Sequence, residues 1–353
     1  MPSNVKNMSI SKALVEDVVT GMQTEFGDFG ATTLAETEIG RVENFISTGS
    51  IVVDKVLTAG VIGKPIVPFG RIVTCEGKNQ SGKTTTMIQV AIEAQRFGVL
   101  PIIIDNEEKM DKPMAVDMGL DIDNTIYTSC ITVEETFEKI HKLISIVLEK
   151  APDKLMIIFW DSLGGTPTQG ELDDSGGTAT AARVVGEELR KAVVRLKRTQ
   201  TCLWINNHIY RDPYIKFGDP YKPYGGEKPQ LHATWRIRLT RAGTFKEGGT
   251  VVGSKIKVKT LKNNTSLPFQ EAVGHILHGQ GWSNAYTTFD LAKRKLIEQV
   301  EGGSTKASVW TTPKGEVLKW RGWAQFEKIV IPHPEFPELV SLARDAIPFG
   351  DDK

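Results

Sequence analysis

The stretch CEGKNQSGKTTTMIQV, residues 75–90, decides the fold. Within it, Gly77, Gly82, Lys83 and Thr84 stand in the spacing G-x-x-x-x-G-K-T. In such a loop the backbone N–H groups hold phosphates, the lysine reaches the terminal phosphates and the hydroxyl binds Mg²⁺. The preceding GRIVTCE predicts a strand, and the following KTTTMIQVAIEAQRFG predicts a helix that ends at a glycine. A glycine-rich loop between a strand and a helix predicts a site for nucleotide phosphates.

Composition indicates an ordinary soluble protein. The 353 residues, 40% hydrophobic and 24% charged, suffice for one large domain with one or two small appendages. No apolar run approaches the ~20 residues that a membrane span needs, and the first residues lack the charged-then-apolar pattern of a signal peptide. We therefore expect a cytoplasmic protein without a membrane partner.

Charge and cysteine usage indicate neither an overall basic protein nor a disulfide or zinc framework. Lys plus Arg equals Asp plus Glu at 43 each, so any attraction to nucleic acid must come from local basic surface. The cysteines, at positions 75, 130 and 202, form no CxxC pair. Their isolation favours reduced core residues over a disulfide or zinc framework.

Short β-branched runs alternate with helical patterns along the middle of the chain. This alternation predicts an α/β fold with a mostly parallel sheet covered by helices, and ligands at the carboxyl ends of its strands. Strands are predicted in GRIVTCE (70–76), in the apolar runs of LPIIIDNEEKMD (100–111) and LMIIFWDSLGG (155–165), and at 201–208, 233–243 and 251–263. We expect three regions: an N-terminal helical arm at 1–45, the nucleotide-binding core at 46–284, and a small α+β module at 285–353.

Carboxylates follow two of the predicted strands. Asp161 ends the run MIIFWD and is the expected partner of Mg²⁺, with Ser162 beside it to hold a metal-bound water; alternatively, Asp161 caps a following helix. In IIIDNEE, a carboxylate just past the strand end can polarise the attacking water. Side-chain alternation makes Glu107 a better candidate than Glu108, although a solvated acidic loop is the alternative.

A third predicted strand ends in His208, which could sense the γ-phosphate or be a structural residue. The segment that follows, HIYRDPYIKFGDPYKPYGGEKPQ (208–230), contains four prolines and a Gly–Gly pair, so we expect a long irregular loop. Aromatic and cationic side chains alternate in it, which suits bases stacked on rings and phosphates on cations of a single-stranded nucleic acid. The candidate residues are Tyr210, Arg211, Tyr214, Lys216, Phe217, Tyr221, Lys222, Gly225 and Gly226. The alternative is an ordered lid packed by its own tyrosines.

A second candidate loop begins at residue 168. It is Gly-rich around Gly176 and Gly177, and runs into a predicted helix that carries Arg183 and Arg190. Residues seven apart share one helix face, so the two arginines could contact successive phosphates. A solvated charged helix face is the alternative.

The order of these motifs resembles that of the bacterial RecA recombinases, and a phage-encoded member in particular. The resemblance spans roughly 44–300 and rests on ISTGSIVVDKVL, GRIVTCEGKNQSGKTT, IIIDNEE, MGLDIDN, IIFWDS, FGDP and VVGSKIKVKTLKN. It implies a RecA-like P-loop NTPase core that binds ATP and Mg²⁺ and hydrolyses ATP when stimulated by DNA. It also implies a helical filament on single-stranded DNA, in a bacterial or phage-infected cell, that searches double-stranded DNA for homology and exchanges strands.

The resemblance implies roles for individual residues. Glu107 falls on the catalytic carboxylate, Thr84, Asp161 and Ser162 on the Mg²⁺ site, and Lys262 on a lysine that reaches the neighbouring subunit's nucleotide. Residues 171–180 and 209–225 fall on two DNA-binding loops, and Arg183 and Arg190 on DNA-contacting arginines. The nucleotide-binding set is Gly77, Lys78, Asn79, Gln80, Ser81, Gly82, Lys83, Thr84, Thr85, Asp111 and Met114.

Three positions depart from the family pattern. His208 stands where the bacterial members have a glutamine that senses the γ-phosphate, Asn264 replaces a second interface lysine, and Met114 replaces a tyrosine that stacks on adenine. The expected mechanism is a switch in which Lys262 and His208 both contact the γ-phosphate and the second loop becomes ordered. Two alternatives remain: a ring-forming helicase of the same core fold, and a nucleotide-regulated protein that coats single strands without catalysis, which Glu107 disfavours.

Overall fold

The computed structural model describes residues 11–27, 31–33, 35, 42–175, 177–300 and 306–350. The chain divides into two units, Met1–Val42 and Glu43–Lys353. In the first unit, helix α1 (Lys12–Phe26) ends at Gly27, whose φ of 57° lies in the left-handed region that glycine tolerates. No residue of α1 is buried, so its apolar side chains remain available for contacts.

A large sheet and its covering helices make up most of the second unit. The helices after α1 are α2 (Ile51–Thr58), α3 (Lys83–Arg96), α4 (Lys112–Asp117), α5 (Val133–Lys150), α6 (Gln169–Leu172), α7 (Thr178–Arg198), α8 (Lys228–His232), α9 (Asn284–Leu291), α10 (Gly322–Ile329) and α11 (Phe336–Ala346). The strands are β1 (Phe45–Ile46), β2 (Val67–Pro68), β3 (Ile72–Gly77), β4 (Leu100–Asp105), β5 (Ile126–Thr128), β6 (Met156–Asp161), β7 (Thr201–Arg211), β8 (Tyr221–Pro223), β9 (Trp235–Glu247), β10 (Thr250–Asn263), β11 (Glu271–Leu277), β12 (Gly281–Trp282), β13 (Glu298–Val300), β14 (Ala307–Thr311) and β15 (Val317–Trp320). Within the described ranges, no helix combines the length and the apolar composition that crossing a membrane requires.

The central sheet is mostly parallel, as predicted. Its strand order is β12–β11–β10–β9–β3–β7–β6–β4–β5, and the six strands from β9 to β5 run parallel. The strands β10, β11 and β12 extend one side of the sheet by antiparallel pairing. Because β3, β4, β6 and β7 are parallel, their carboxyl ends meet at one edge, where ligands bind to sheets of this kind.

Both faces of the parallel sheet are buried against helices. Along β6, Ile157 and Phe159 pack into one core with α2 and α3, whereas Ile158 and Trp160 pack into another with α5 and α7. A strand buried on both faces is apolar at every position, which explains the continuous hydrophobic runs in the sequence. All three cysteines are free and buried, as expected: Cys75, Cys130 and Cys202.

The last residues that the structure describes form three strands and two helices in an α+β arrangement, and the division of 285–353 into a module of its own stays a prediction. The strands β13, β14 and β15 pair antiparallel, and α10 and α11 accompany them. The core beneath them is aromatic and includes Tyr286, Phe289, Trp320 and Phe326 together with Phe245 of β9. Such large rings give a small module a large buried apolar area.

The segment 208–230 is more regular than its composition predicts. The strand β7 continues to Arg211, and β8 returns antiparallel to it with Tyr221 opposite Arg211. The prediction of an irregular loop is therefore wrong for the two ends of the segment. Its prolines are compatible with this regularity, because Pro223 ends its strand and Pro229 lies in the first turn of α8.

Candidate nucleotide and nucleic-acid site

The loop between β3 and α3 forms a tight cradle that requires both of its glycines. A Cβ atom on Gly77 would lie 2.3 Å from Ser81 Oγ and 2.6 Å from the Leu239 carbonyl oxygen. Gly82 has a φ of 92°, in the left-handed region, and directly precedes α3. The first N–H groups of α3 therefore face the loop, where they can bind an anion.

Polar groups inside the cradle fit phosphate oxygens. The Lys83 side chain is 6% exposed, and its Nζ donates to the carbonyl oxygens of Gly77 (3.1 Å) and Lys78 (3.0 Å). Burial lowers the pKa of Lys83 because it penalises the ammonium charge. Ser81 Oγ is buried without a hydrogen-bond partner among the described residues. A buried cation and an unsatisfied hydroxyl are both stabilised by a bound phosphate.

Oxygen atoms suited to Mg²⁺ lie beside the cradle. Thr84 Oγ1 donates to Asp161 Oδ2 at 2.7 Å. Burial raises the pKa of Asp161, against the hydrogen bonds that it accepts from Thr84 and Asn206. Mg²⁺ binds one or two protein oxygens together with the phosphates of its substrate, so this pair fits the predicted metal position.

Ser162 contacts two protein groups beside the cradle, and its predicted contact with a metal-bound water stays a prediction. Its Oγ donates to Glu107 Oε1 and accepts from the Gly165 N–H at 3.2 Å, which starts a 3₁₀ turn at Leu163–Gly165. The cap of this turn is therefore Ser162, and the alternative in which Asp161 caps a helix is wrong. Through this contact, Ser162 positions Glu107.

Glu107 accepts hydrogen bonds from three side chains. Ser162 Oγ and His208 Nε2 (2.9 Å) contact Oε1, and Lys109 Nζ contacts Oε2 at 2.9 Å. Partial burial acts to raise the pKa of Glu107, but the hydrogen bonds of Ser162, Lys109 and His208 outweigh it and lower the value to about 2. The Glu107 carboxylate is therefore ionised at every physiological pH.

The orientation of Glu107 comes from a turn and not from strand alternation. The strand β4 ends at Asp105, so the alternation argument does not extend to Glu107. The buried Asp105 carboxylate accepts the N–H groups of Glu107 (3.2 Å) and Met110 (2.9 Å) and thereby holds the turn. Glu108 has a φ of 51° and bonds Ser129 instead. The turn is thus ordered, unlike the solvated acidic loop considered as an alternative.

Two grooves of about 770 Å³ each meet at this edge of the sheet. The first, which we call the nucleotide groove, is lined by Lys78, Asn79, Glu107, Lys109, Gly164, Gly165, His208, Ile209 and Tyr224. The second, which we call the hairpin groove, lies between the segment 163–168, the start of α7 and the β7–β8 hairpin. Gly164, Gly165 and Tyr224 line both grooves, so the two share a wall.

A chain of contacts links Glu107 to the hairpin groove. His208, which bonds Glu107, accepts the Tyr224 N–H through its carbonyl oxygen at 3.2 Å. Asn207 Nδ2 donates to the Tyr224 carbonyl oxygen at 2.9 Å. The ring of Tyr224 packs on that of Tyr210, with centroids 5.2 Å apart. A displacement of His208 would therefore shift Tyr224 and, through the ring contact, Tyr210.

The other candidate residues of the hairpin are largely exposed. Tyr214 and Phe217 are 90% and 92% exposed at its tip, and Arg211 and Lys216 are exposed beside them. Lys222 pairs with Asp212 at 2.9 Å, and Tyr221 lies under the ammonium of Lys78. Gly225 and Gly226 have φ angles of 79° and 72°, and a Cβ on Gly226 would lie 3.1 Å from that of Ala182 in α7. Close backbone approach thus brings the hairpin and α7 together.

The structure places Arg183 and Arg190 on the exposed surface of α7. Arg183 Nη1 pairs with Glu187 at 2.8 Å, one turn away on the same helix. Gly177 is the residue before α7, and Gly176 lies outside the described residues. The start of α7 lines the hairpin groove, and the two arginines lie on the exposed surface of the same helix.

Three further candidate residues contact other parts of the protein and lie outside the lining of the two grooves: Asp111, Met114 and Lys262. Asp111 caps α4 by accepting the Met114 N–H at 3.0 Å, and Met114 packs against the first core. Lys262 Nζ donates to the carbonyl oxygen of Leu231 at 2.8 Å, and burial lowers its pKa. A role of Lys262 at a neighbouring copy's nucleotide concerns an assembly of chains, and it stays a prediction.

One polar cluster escaped the sequence analysis. Glu76, the residue before the cradle, is 1% exposed and pairs with Arg236 and Arg238 of β9. The signal was present, because arginines alternate with apolar residues in WRIRL and β9 pairs with β3, with Arg238 opposite Glu76. Alternation of this type is usually taken as a solvated strand face.

A comparison with protein-family models places this site within a known domain family. The model of the RecA N-terminal domain matches residues 12–283. This range contains the cradle, the Glu107 turn and both grooves, and it ends just before α9.

Proposed function

The chain belongs to the RecA family, and from that premise we propose that it is an ATP-dependent DNA recombination protein. It forms a filament on single-stranded DNA, pairs that strand with homologous double-stranded DNA, and promotes strand exchange with DNA-stimulated ATP hydrolysis. The observation that supports this most directly is the shared wall of the two grooves, where Glu107, His208 and Tyr224 are in contact.

We assign the nucleotide chemistry to residues around the cradle. Residues 77–85 hold the phosphates, Lys83 neutralises their charge, and Thr84 and Asp161 hold Mg²⁺, which would stabilise the charge that develops during phosphoryl transfer. Glu107 orients the attacking water. A carboxylate with a pKa of about 2 is a weak proton acceptor, but phosphoryl transfer depends mainly on positioning and electrostatics. Asp111 and Met114 are the proposed adenine side of the site.

His208 is the proposed sensor of the γ-phosphate. It bonds Glu107 in one direction and the Tyr224 backbone in the other. A phosphate oxygen at this position would compete with Glu107 for the imidazole, and the hairpin would respond through Tyr224 and Tyr210. Because the two states then differ in their DNA contacts, ATP raises DNA affinity by population shift.

DNA binding is assigned to the hairpin groove and its rim. The rings of Tyr210, Tyr214, Phe217 and Tyr221 offer stacking surfaces for bases. The cations Arg183, Arg190, Arg211, Lys216 and Lys222 offer partners for phosphates. Gly176, Gly177, Gly225 and Gly226 allow the backbone to approach the strand closely.

Assembly of adjacent copies completes the proposed site. Lys262 from one copy contacts the γ-phosphate bound to the next, so ATP lies at the interface between subunits. The family's second cation is replaced by Asn264, which leaves Lys262 to neutralise the phosphate charge. The N-terminal arm, residues 1–45, is assigned to docking on the neighbouring copy.

Strand exchange is the test that separates this proposal from its alternatives. The purified chain should transfer a labelled strand between homologous DNA molecules and fail with a heterologous duplex of equal length. Unwinding of both duplexes alike would indicate a helicase. DNA binding without any DNA-stimulated hydrolysis would indicate a coating protein. Lys83→Ala should remove nucleotide-dependent filaments, and unchanged filament assembly by this variant would refute the assignment of the cradle.

A further inference from the structure

A buried ion-pair cluster adjoins the cradle on the side away from Glu107. The Glu76 carboxylate accepts Arg238 Nε at 2.8 Å and Nη2 at 2.6 Å through Oε1, and Arg236 Nη2 at 2.9 Å through Oε2. Glu76 directly precedes Gly77, so this cluster holds the end of β3 from which the cradle begins. One arginine would neutralise the single negative charge of Glu76, so the second arginine brings an additional positive charge.

The second positive charge has a partner in the hairpin. Arg238 Nη1 bonds Asp219 Oδ2, and Nη2 reaches the Tyr221 carbonyl oxygen at 3.3 Å. Tyr221 begins β8, and Asp219 lies two residues before it. A single guanidinium thus joins β3, the strand before the cradle, to the start of the second strand of the hairpin. Arginine is suited to this role because its planar fork holds several acceptors in fixed directions.

The cradle itself touches the same part of the hairpin. Lys78 Nζ lies 4.6 Å from the centroid of the Tyr221 ring, a cation–π contact. The carbonyl oxygens of Gly77 and Lys78 both accept from Lys83 Nζ. A phosphate oxygen would compete for the Lys83 ammonium. It would thereby change the hydrogen bonding of Gly77, which follows Glu76, and of Lys78, whose ammonium lies over the Tyr221 ring.

We propose that Arg238 is a positioning residue that couples occupancy of the cradle to the β8 strand of the hairpin. This inference rests on the proposed function for the identity of the ligands, ATP and single-stranded DNA. The link is separate from the one through His208, since it reaches the hairpin at Asp219 and Tyr221 and not at Tyr224. With both strands attached to the nucleotide site, the hairpin moves as one body when the cradle binds phosphate.

The chain offers a matched pair of variants, Asp219→Asn and Asp212→Asn. In both aspartates, Oδ1 accepts the N–H two residues ahead, at 3.0 Å, and Oδ2 accepts a cation. Asp212 pairs with Lys222 inside the hairpin, whereas Asp219 pairs with Arg238 outside it. Asparagine keeps the local acceptor and removes the charge, and Glu76 keeps both arginines. The half-exposed Asp219 side chain contributes little to stability, so both variants are expected to fold.

The experiment measures hydrogen–deuterium exchange of residues 209–224 in the full chain, with and without a slowly hydrolysed ATP analogue and Mg²⁺, in the absence of DNA. Nucleotide affinity is measured in parallel by calorimetry. In the parent protein and in Asp212→Asn, the analogue should increase protection of the hairpin. In Asp219→Asn, the nucleotide-induced increase should fall by about fivefold or more, while nucleotide affinity stays unchanged.

Equal nucleotide-induced protection in Asp219→Asn and Asp212→Asn would overturn the role of Arg238. No response of the hairpin in the parent protein, with the nucleotide bound, would overturn it as well. Neither result would contradict the proposed nucleotide site or the proposed strand exchange. Failure of the proposed function would show differently, as a parent protein that binds no ATP in the calorimeter or exchanges no strands.

Discussion

At the scale of single residues, Glu107 combines ionisation with a fixed direction. Its three donors, Ser162, Lys109 and His208, occupy both carboxylate oxygens. Such a group cannot gain much by taking a proton, yet it can hold a water molecule in line with a phosphate. Catalysis of phosphoryl transfer by orientation requires this kind of rigidity.

Replacement of the Glu107 carboxylate should therefore slow ATP hydrolysis without weakening ATP binding. We expect Glu107→Gln to lower the DNA-stimulated rate of ATP hydrolysis by about 10²-fold or more, with nucleotide affinity unchanged. Glu108→Gln is the matched control, because the neighbouring Glu108 bonds Ser129 and points away. Parent-like hydrolysis by Glu107→Gln would exclude the assigned role.

The lowered pKa of Glu107 also predicts a pH dependence of stability. Its pKa falls from an ordinary value of 4.5 to about 2 on folding, so the unfolded chain binds more protons between these values. The contribution of Glu107 to the free energy of unfolding is complete above pH 4.5 and is lost as the pH falls towards 2. Urea denaturation should show a shallower acid loss for Glu107→Gln than for Glu108→Gln. Parallel curves for the two variants would contradict the shift.

His208 should couple the nucleotide to the hairpin without being needed to bind the nucleotide. We expect His208→Ala to bind ATP normally and to lose most of the ATP-dependent gain in DNA affinity. His208→Gln should retain that gain, because the amide can donate the same hydrogen bonds. Fluorescence anisotropy with a labelled oligonucleotide measures both. A full ATP response of the alanine variant would show that the signal takes another route.

At the scale of elements, the β7–β8 hairpin is the part of the site that most depends on three-dimensional contacts. Tyr210 and Tyr224 face one another across its base, whereas Tyr214 and Phe217 extend from its tip. In the proposed mechanism, the base would respond to the nucleotide groove and the tip would contact the DNA strand.

Removal of a stacking ring from the tip should weaken DNA binding specifically. We expect Phe217→Ala to lower single-stranded DNA affinity by about 1–3 kcal/mol if one base stacks on the ring. Phe97→Ala is the control, since Phe97 is also exposed but lies at the far end of α3 from the cradle. Equal affinities of the two variants would place the DNA elsewhere.

The elements that the sequence predicts correctly are those with a strong local pattern. The run MIIFWD and the cradle motif determine their strand, loop and helix through local sequence alone, and parallel pairing then brings Asp161 to Thr84. The hairpin ends were missed because prolines disfavour strands in general, although they are tolerated at a strand end. The partner of Ser162 and the bridge of Arg238 could not be predicted, because both depend on which distant residues the sheet order places together.

At the scale of the whole molecule, the described helix of the first unit, α1, buries none of its residues. The exposed side chains Leu14, Val18 and Phe26 of α1 recur at a spacing of four, or a multiple of four, on one helix face. An amphipathic helix of this kind is stabilised by docking its apolar face. In the proposed filament, the docking surface belongs to the neighbouring copy.

Polar substitutions on the apolar face of α1 should prevent filament assembly but leave nucleotide binding unchanged. We expect the double variant Leu14→Ser, Val18→Ser to bind ATP with parent affinity and to form no filaments on single-stranded DNA in electron micrographs. The control carries Glu16→Ser and Asp17→Ser on the polar side of the same helix. Filaments of normal length from the apolar-face variant would exclude the arm from assembly.

The central claim is that ATP and single-stranded DNA bind this molecule cooperatively through the wall between the two grooves. The most direct measurement is the affinity for a labelled single-stranded oligonucleotide, at one fixed salt concentration, with and without a slowly hydrolysed ATP analogue and Mg²⁺. The account predicts binding at least about tenfold tighter with the analogue. Superimposable binding curves, from a protein that remains monomeric in both conditions, would contradict it.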